Sequence, residues 1–230
     1  MSSPVERLRE ISDRLASAAA ASGRASAAVA LLAVSKRQTV QDIRALATAG
    51  QRAFGENYLQ EALPKIDALE GAGLEWHFIG RIQRNKTRDI AARFAWVHTI
   101  DRLEIATRLS HQRPAQLGPL QCLIEVNVSG EASKGGVAPA AVPGMVAAVQ
   151  TLPGLRLRGL MALPAPEEDF EAQRQAFRCL REALEALQDP RLDTLSMGTS
   201  ADFAAAIAEG STIVRIGTAL FGERTASDPP

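Results

Sequence analysis

The chain has 230 residues, 46% hydrophobic and 23% charged, which is ordinary for a globular protein able to bury a large core. Lys+Arg and Asp+Glu are both 26, so the formal charge is zero, and aromatics make up 4%; both facts argue against a nucleic-acid partner. The two cysteines, Cys122 and Cys179, stand in no metal-ligand spacing, which argues against a zinc site or a disulfide framework and points to a reducing compartment, the cytoplasm.

Residues 1–27 read as an N-terminal helix and loop. Val5, Leu8, Ile11 and Leu15 share one face of SPVERLREISDRLASAAAASG, which is too charged for a secretory signal, and no later run is long enough to span a membrane. From there strand-like and helical patterns alternate. The apolar run 28–34 is a buried strand, followed by a helix over 39–49. Strands at 52–55, 76–80 and 96–100 precede helices at 58–69, 85–94 and 102–112, the last with Asp101 as its expected N-cap. Strands at 120–128, 155–163, 194–197 and 212–216 precede helices at 140–151, 167–187, 201–209 and 218–221, and 223–230 is a polar tail.

Alternation of this kind implies parallel strands with helical crossovers. Eight β-then-α units closing on themselves make a (β/α)8 barrel, an α/β fold in one domain over 1–230. An open doubly wound sheet is the alternative, but no GxGxxG follows the first strand. In a barrel the chemistry sits at the C-terminal ends of strands. Those positions here include Ser35-Lys36, Gly55-Glu56-Asn57, His77 and Gly80, Asn127, Met161 to Pro164, SMGTSAD (196–202) and RIGTALFG (215–222).

SMGTSAD and RIGTALFG follow strands 7 and 8, the usual phosphate-holding pair of this fold. Glycine admits close backbone approach, free N–H groups face the anion, and Ser200 and Thr218 add hydroxyls. Read singly, GTS is a helix cap and GTA a turn. Lysine is rare here: only Lys36, Lys65, Lys86 and Lys134. Lys36 ends strand 1 either as an interfacial side chain with a wet head or as an amine able to form a Schiff base with a carbonyl. Beside a phosphate cradle, the second reading suggests pyridoxal phosphate (PLP). Arg215 would then face the pyridine nitrogen and keep it unprotonated; a buried salt bridge is its alternative role.

These residues resemble the pyridoxal phosphate homeostasis proteins, also called the YggS or PROSC family. The matching segments are LLAVSK (31–36), FGENYLQEA (54–62), WHFIG with QRNK (76–86), HTID (98–101), SKGG (133–136), RGLMALP (158–164), LSMGTSAD (195–202) and STIVRIGTALFG (211–222). The resemblance implies a barrel like the N-terminal domain of alanine racemase (PLP fold type III), with PLP bound covalently on Lys36. It implies Ser200, Gly217 and Thr218 at the phosphate, Arg215 at the pyridine nitrogen, and Asn57 and His77 near the ring. The bland alternatives are a helix cap for Asn57 and a satisfied core histidine for His77. Lys134 is either an exposed loop lysine or a transient second amine in cofactor exchange. Arg81 and Arg84 replace an expected small or apolar residue and a serine, Thr199 an expected methionine, and SKGG a more usual SKSG.

Three functions fit these residues. The first is a non-catalytic PLP carrier, a monomer, with apo PLP-dependent enzymes as recipients. The second is a PLP enzyme such as an amino-acid racemase. The third is a lysine aldolase with Glu56 or His77 as base. Racemisation needs a second acid–base group on the far face of the cofactor. In the racemases that the chain resembles, this is a tyrosine from a further β domain. Here the sequence ends soon after strand 8, with only the polar tail ERTASDPP after the last matching segment, and Tyr58 is the sole tyrosine, so the carrier is expected.

Overall fold

The computed structural model describes residues 3–131 and 135–222. Its centre is a closed, all-parallel barrel in the order β1 to β8: β1 Ala30–Val34, β2 Ala53–Glu56, β3 Glu75–Phe78, β4 Trp96–Ile100, β5 Leu120–Glu125, β6 Leu155–Met161, β7 Thr194–Ser196 and β8 Ile213–Ile216. Closure is made by β1, which pairs Ala33 with Phe54 of β2 on one side and Leu32 with Arg215 of β8 on the other. The strands are apolar on both faces because one face meets the helices and the other fills the barrel.

The helices are α1 Pro4–Ala21, α2 Val40–Thr48, α3 Leu59–Ala68, α4 Thr87–Arg93, α5 Leu103–Gln112, α6 Val142–Gln150, α7 Phe170–Glu185, α8 Phe203–Ala208 and α9 Thr218–Phe221. In α1 a capping box starts the helix: Glu6 N–H donates to Ser3 Oγ and Ser3 N–H donates to Glu6 Oε2. Leu8, Ile11, Leu15 and Ala19 return every three or four residues and are buried. Arg7 then ties α1 to the end of the barrel by donating to the Leu220 and Phe221 carbonyls at 2.6 and 2.8 Å.

Two expected boundaries moved for physical reasons. Ala28, read as the start of the strand, instead ends a 3-10 turn over Ser26–Ala28, and β1 begins at Ala30. Asp101 is not the cap of α5: Arg102 is extended (φ −146°, ψ 138°), the helix begins at Leu103, and the Asp101 carboxylate accepts from Arg102 Nε at 3.0 Å instead.

The main core lies between helices and barrel, with Phe54, Phe94 and Phe177 fully buried, each worth about 1.5–3 kcal/mol of transfer energy. Trp96, Leu123 and Met161 form a separate small apolar cluster. Polar groups share the barrel interior: His77, His98, Ser196 and Arg215 are all buried and joined by hydrogen bonds. No described helix is long and apolar enough to cross a membrane, and Cys122 and Cys179 are unpaired.

Candidate functional site

At the C-terminal ends of the strands lies a cavity of about 940 Å³, the size range of small-molecule sites. Lys36, Asn57, Ser200, Arg215, Gly217 and Thr218 all line it. His77 does not. It is two residues deeper in β3 than the cavity-lining Ile79, and strand alternation turns it inward, stacked on Trp96 (ring centroids 5.4 Å apart).

The end of β1 is held from both sides. Ser35 N–H donates to the Gly55 carbonyl at 2.9 Å, and Ser35 Oγ donates to Glu56 Oε1 at 2.6 Å. Lys65, from α3, donates to the Ser35 carbonyl at 2.8 Å and to Glu56 Oε1 at 2.9 Å. Burial pushes the Glu56 carboxyl above its ordinary range, while Lys65 opposes the shift. On the other side Arg37 takes a left-handed conformation (φ 61°), costing a non-glycine residue about 1 kcal/mol, and its N–H donates to Glu61. Lys36 stands between these two anchors, exposed, with its side chain on the cavity wall. Glu56 lies behind that wall, so neither residue considered as an aldolase base, Glu56 or His77, reaches the cavity.

After β2, Asn57 is not a helix cap, since α3 begins at Leu59 with no side-chain cap. Its Oδ1 is buried without a hydrogen-bond partner. The loop after β3 crosses so close that a Cβ on Gly80 would collide with the Asn57 carbonyl oxygen. After β7, Gly198 adopts φ +97°, and a Cβ there would stand 2.7 Å from that of Ala206. The same loop is braced by Asp202 Oδ1, which accepts from Thr199 N–H at 2.6 Å and Thr199 Oγ1 at 2.9 Å. After β8, a Cβ on Gly217 would lie 3.3 Å from the Val34 carbonyl oxygen, so glycine keeps this edge close to β1.

Among the described residues, the hydrogen-bond partners of Arg215 are neutral oxygens. NH1 donates to Ser196 O and Oγ at 2.6 and 2.8 Å, and NH2 to Ala162 O at 2.9 Å. Burial pushes its pKa down to about 10, with Asp202 and Glu125 opposing, so it stays charged near neutral pH.

Several lining residues were not singled out from sequence. Glu125, at the end of β5, is the most telling: burial and the nearby Asp101 raise its carboxyl, while Arg215 and Arg81 pull it back. Its signal was available, as the one acidic residue in LQCLIEVNV. Tyr58, Arg81 and Leu163, each noted in the sequence, form exposed parts of the wall. Asn127 is not on it; Nδ2 donates to the Glu131 carbonyl at 2.8 Å. Lys134 and the 223–230 tail lie outside the described residues. Among those described, no cluster of His, Cys, Asp or Glu could hold a metal ion.

The class of this domain is given by its family: the one described as alanine racemase, N-terminal domain, matches residues 7–225. The pyridoxal phosphate homeostasis protein of Pseudomonas aeruginosa is 56% identical over 100% of this chain and 99% of its own length. That of Escherichia coli K12 is 50% identical over 97% and 98%. PipY of Synechococcus elongatus PCC7942, solved with PLP bound, superposes with a TM-score of 0.83 at 32% identity, covering 95% of this chain and 100% of PipY. This chain belongs to the family of pyridoxal phosphate homeostasis proteins.

Proposed function

We propose that this chain binds PLP in the 940 Å³ cavity, linked covalently to Lys36, and serves intracellular PLP homeostasis as a carrier without turnover of its own. The observation that carries the reading is one shared wall: the β1 lysine, Asn57, Arg215 and the glycine-hydroxyl loops after β7 and β8 all face the same space. The residues fit the group. Asn57 offers an oxygen with no partner, Gly217 leaves room that a side chain would fill, and Arg215 keeps N–H donors beyond the three bonds described.

Bound PLP supplies an aldehyde that condenses with an amine and a ring that accepts electron density. Lys36 Nζ would be the amine that holds the group, through a C=N link made with loss of water and no change in redox state. Ser200 and Thr218 present hydroxyls, and Gly217 its backbone, to the phosphate. Arg215 donates toward the ring nitrogen and, as a fixed cation, disfavours a proton there. That weakens the ring as an electron sink, which suits holding the cofactor better than using it. The names of the relatives support the same reading. Work as a monomer in the cytoplasm, with apo PLP-dependent enzymes as recipients, completes the proposal.

A PLP enzyme such as an amino-acid racemase is the second reading, favoured by two acid–base side chains on the wall, Tyr58 and Glu125. Visible absorption of the PLP-loaded protein, borohydride reduction and peptide mapping test the site. The expected result is a reduced adduct on the Lys36 peptide, absent from Lys36→Ala. An adduct on another lysine, or a protein that PLP cannot colour, refutes it. Steady turnover of an amino acid by the loaded protein would move the conclusion to the enzyme.

A further inference from the structure

The barrel interior holds a continuous hydrogen-bonded line that ends at the cavity. Glu75 Oε1 lies 2.8 Å from His77 Nε2, and His77 Nδ1 lies 2.9 Å from His98 Nε2. His98 Nδ1 lies 2.9 Å from Ser196 Oγ, which accepts from Arg215 NH1 at 2.8 Å. The line therefore runs from a half-exposed carboxylate at the start of β3 to a guanidinium on the cavity wall at the end of β8. Every group between is at most 6% exposed.

Its two ends set its direction. Arginine only donates, and an ionised carboxylate only accepts. Glu75 is ionised: its bond with His77 holds the carboxyl below its ordinary range. His77 Nε2 must then carry a hydrogen, which leaves Nδ1 as an acceptor. His98 Nε2–H fills that acceptor and leaves His98 Nδ1 unprotonated. The Ser196 hydroxyl donates to this Nδ1 and keeps its lone pairs for Arg215. One arrangement satisfies every atom with both rings neutral, and burial drives both imidazoles toward neutrality. The reverse order sets a His77 lone pair against Glu75, or needs an imidazolium inside the barrel, where an added charge is costly.

We propose that this line is a positioning device for Arg215. Glu75, His77 and His98 fix the rotation of the Ser196 hydroxyl, so that its lone pairs and not its proton meet Arg215 NH1, and the guanidinium is held in one plane against the cavity. His98 and Ser196 are positioning residues: neither lines the cavity, and they act through Arg215. A guanidinium already ordered costs little to order on binding, which is how distant residues raise affinity. The effect on affinity rests on the PLP reading above; the hydrogen-bond order does not.

The experiment is a long-range 1H–15N spectrum of the imidazoles in cofactor-free protein near pH 7.5, followed by PLP titration of variants. With three histidines in the chain, single substitutions assign the signals. His77 and His98 are both expected as neutral Nε2–H tautomers. Ser196→Ala should leave His98 an Nε2–H tautomer, still held by His77 Nδ1, and weaken PLP about fivefold to tenfold, with borohydride still trapping it on Lys36. His98→Leu should cost the same, the double variant no more, and His98→Asn, whose Oδ1 replaces the lost acceptor, should recover part. An Nδ1–H tautomer or an imidazolium at either ring overturns the proposal. So does a Ser196→Ala protein that binds PLP within about twofold of the unsubstituted one. If the unsubstituted protein gave no Lys36 adduct, the cofactor reading would fall, and the tautomers would still decide the order of the line.

Discussion

Glu56→Ala should be among the most damaging single substitutions in this protein, because of what it leaves behind. The Glu56–Lys65 pair is closed from water, with side-chain exposures of 0% and 9%. Removing the carboxylate strands the Lys65 ammonium with the Ser35 carbonyl as its remaining described partner, and leaves the Ser35 hydroxyl with a long 3.4 Å bond to the Gly55 carbonyl. Breaking one side of a buried pair costs about 3–5 kcal/mol. At about 3 kcal/mol per molar urea, the unfolding midpoint should fall by about 1–2 M. Glu56→Gln keeps an oxygen for both donors and should cost less, about 1–3 kcal/mol. The double variant Glu56→Leu/Lys65→Met removes both charges and should recover most of the loss. Urea unfolding followed by circular dichroism reads all three. A cost below about 1 kcal/mol for Glu56→Ala, or a double variant as unstable as the single, would refute the reasoning. Because Ser35 adjoins Lys36, Glu56→Ala should also weaken PLP binding in whatever protein remains folded.

Glu209 accepts from Arg174, Arg178 and Arg181 at 2.8, 3.2 and 3.3 Å and is itself 3% exposed, so Glu209→Ala should cost about 1–3 kcal/mol in the same unfolding assay, with Glu209→Gln intermediate. Thr218→Ala should weaken PLP by about 0.5–1.5 kcal/mol, a twofold to twelvefold rise in Kd by titration, the loss of one neutral hydrogen bond. His77 and His98 have folded pKa values below the ordinary one, so the unfolded chain takes up protons first as pH falls. Stability should therefore drop below about pH 6.5, by at most about 1.4 kcal/mol per histidine at pH 5.5 and by more for His98 than for His77, whose shift Glu75 opposes. Urea midpoints between pH 7.5 and 5.5 check this, and His98→Asn should flatten the slope; an unchanged slope would count against it.

The order of strands and helices was legible because each strand of a closed parallel barrel is buried on both faces and reads as an apolar run, while each helix carries its own period and caps. Lys36, Asn57, Ser200, Arg215, Gly217 and Thr218 could be grouped from sequence because all stand at or just after strand ends, and every strand of this fold ends on one side. Depth inside the barrel was not legible. His77 is only two residues before Ile79 and shares its face of the strand, yet its greater depth along the barrel makes one an interior hydrogen-bond partner and the other a wall of the cavity. Glu56 sits next to Asn57, but α3 brings Lys65 over it and closes it from solvent. Glu125 became part of the site, and Ser196 became the partner of Arg215, only when β5, β7 and β8 took their places around the barrel. Chain periodicity says which residues share a face; the closing of the sheet decides which of them meet, how far each is from water, and so what charge and hydrogen each can carry.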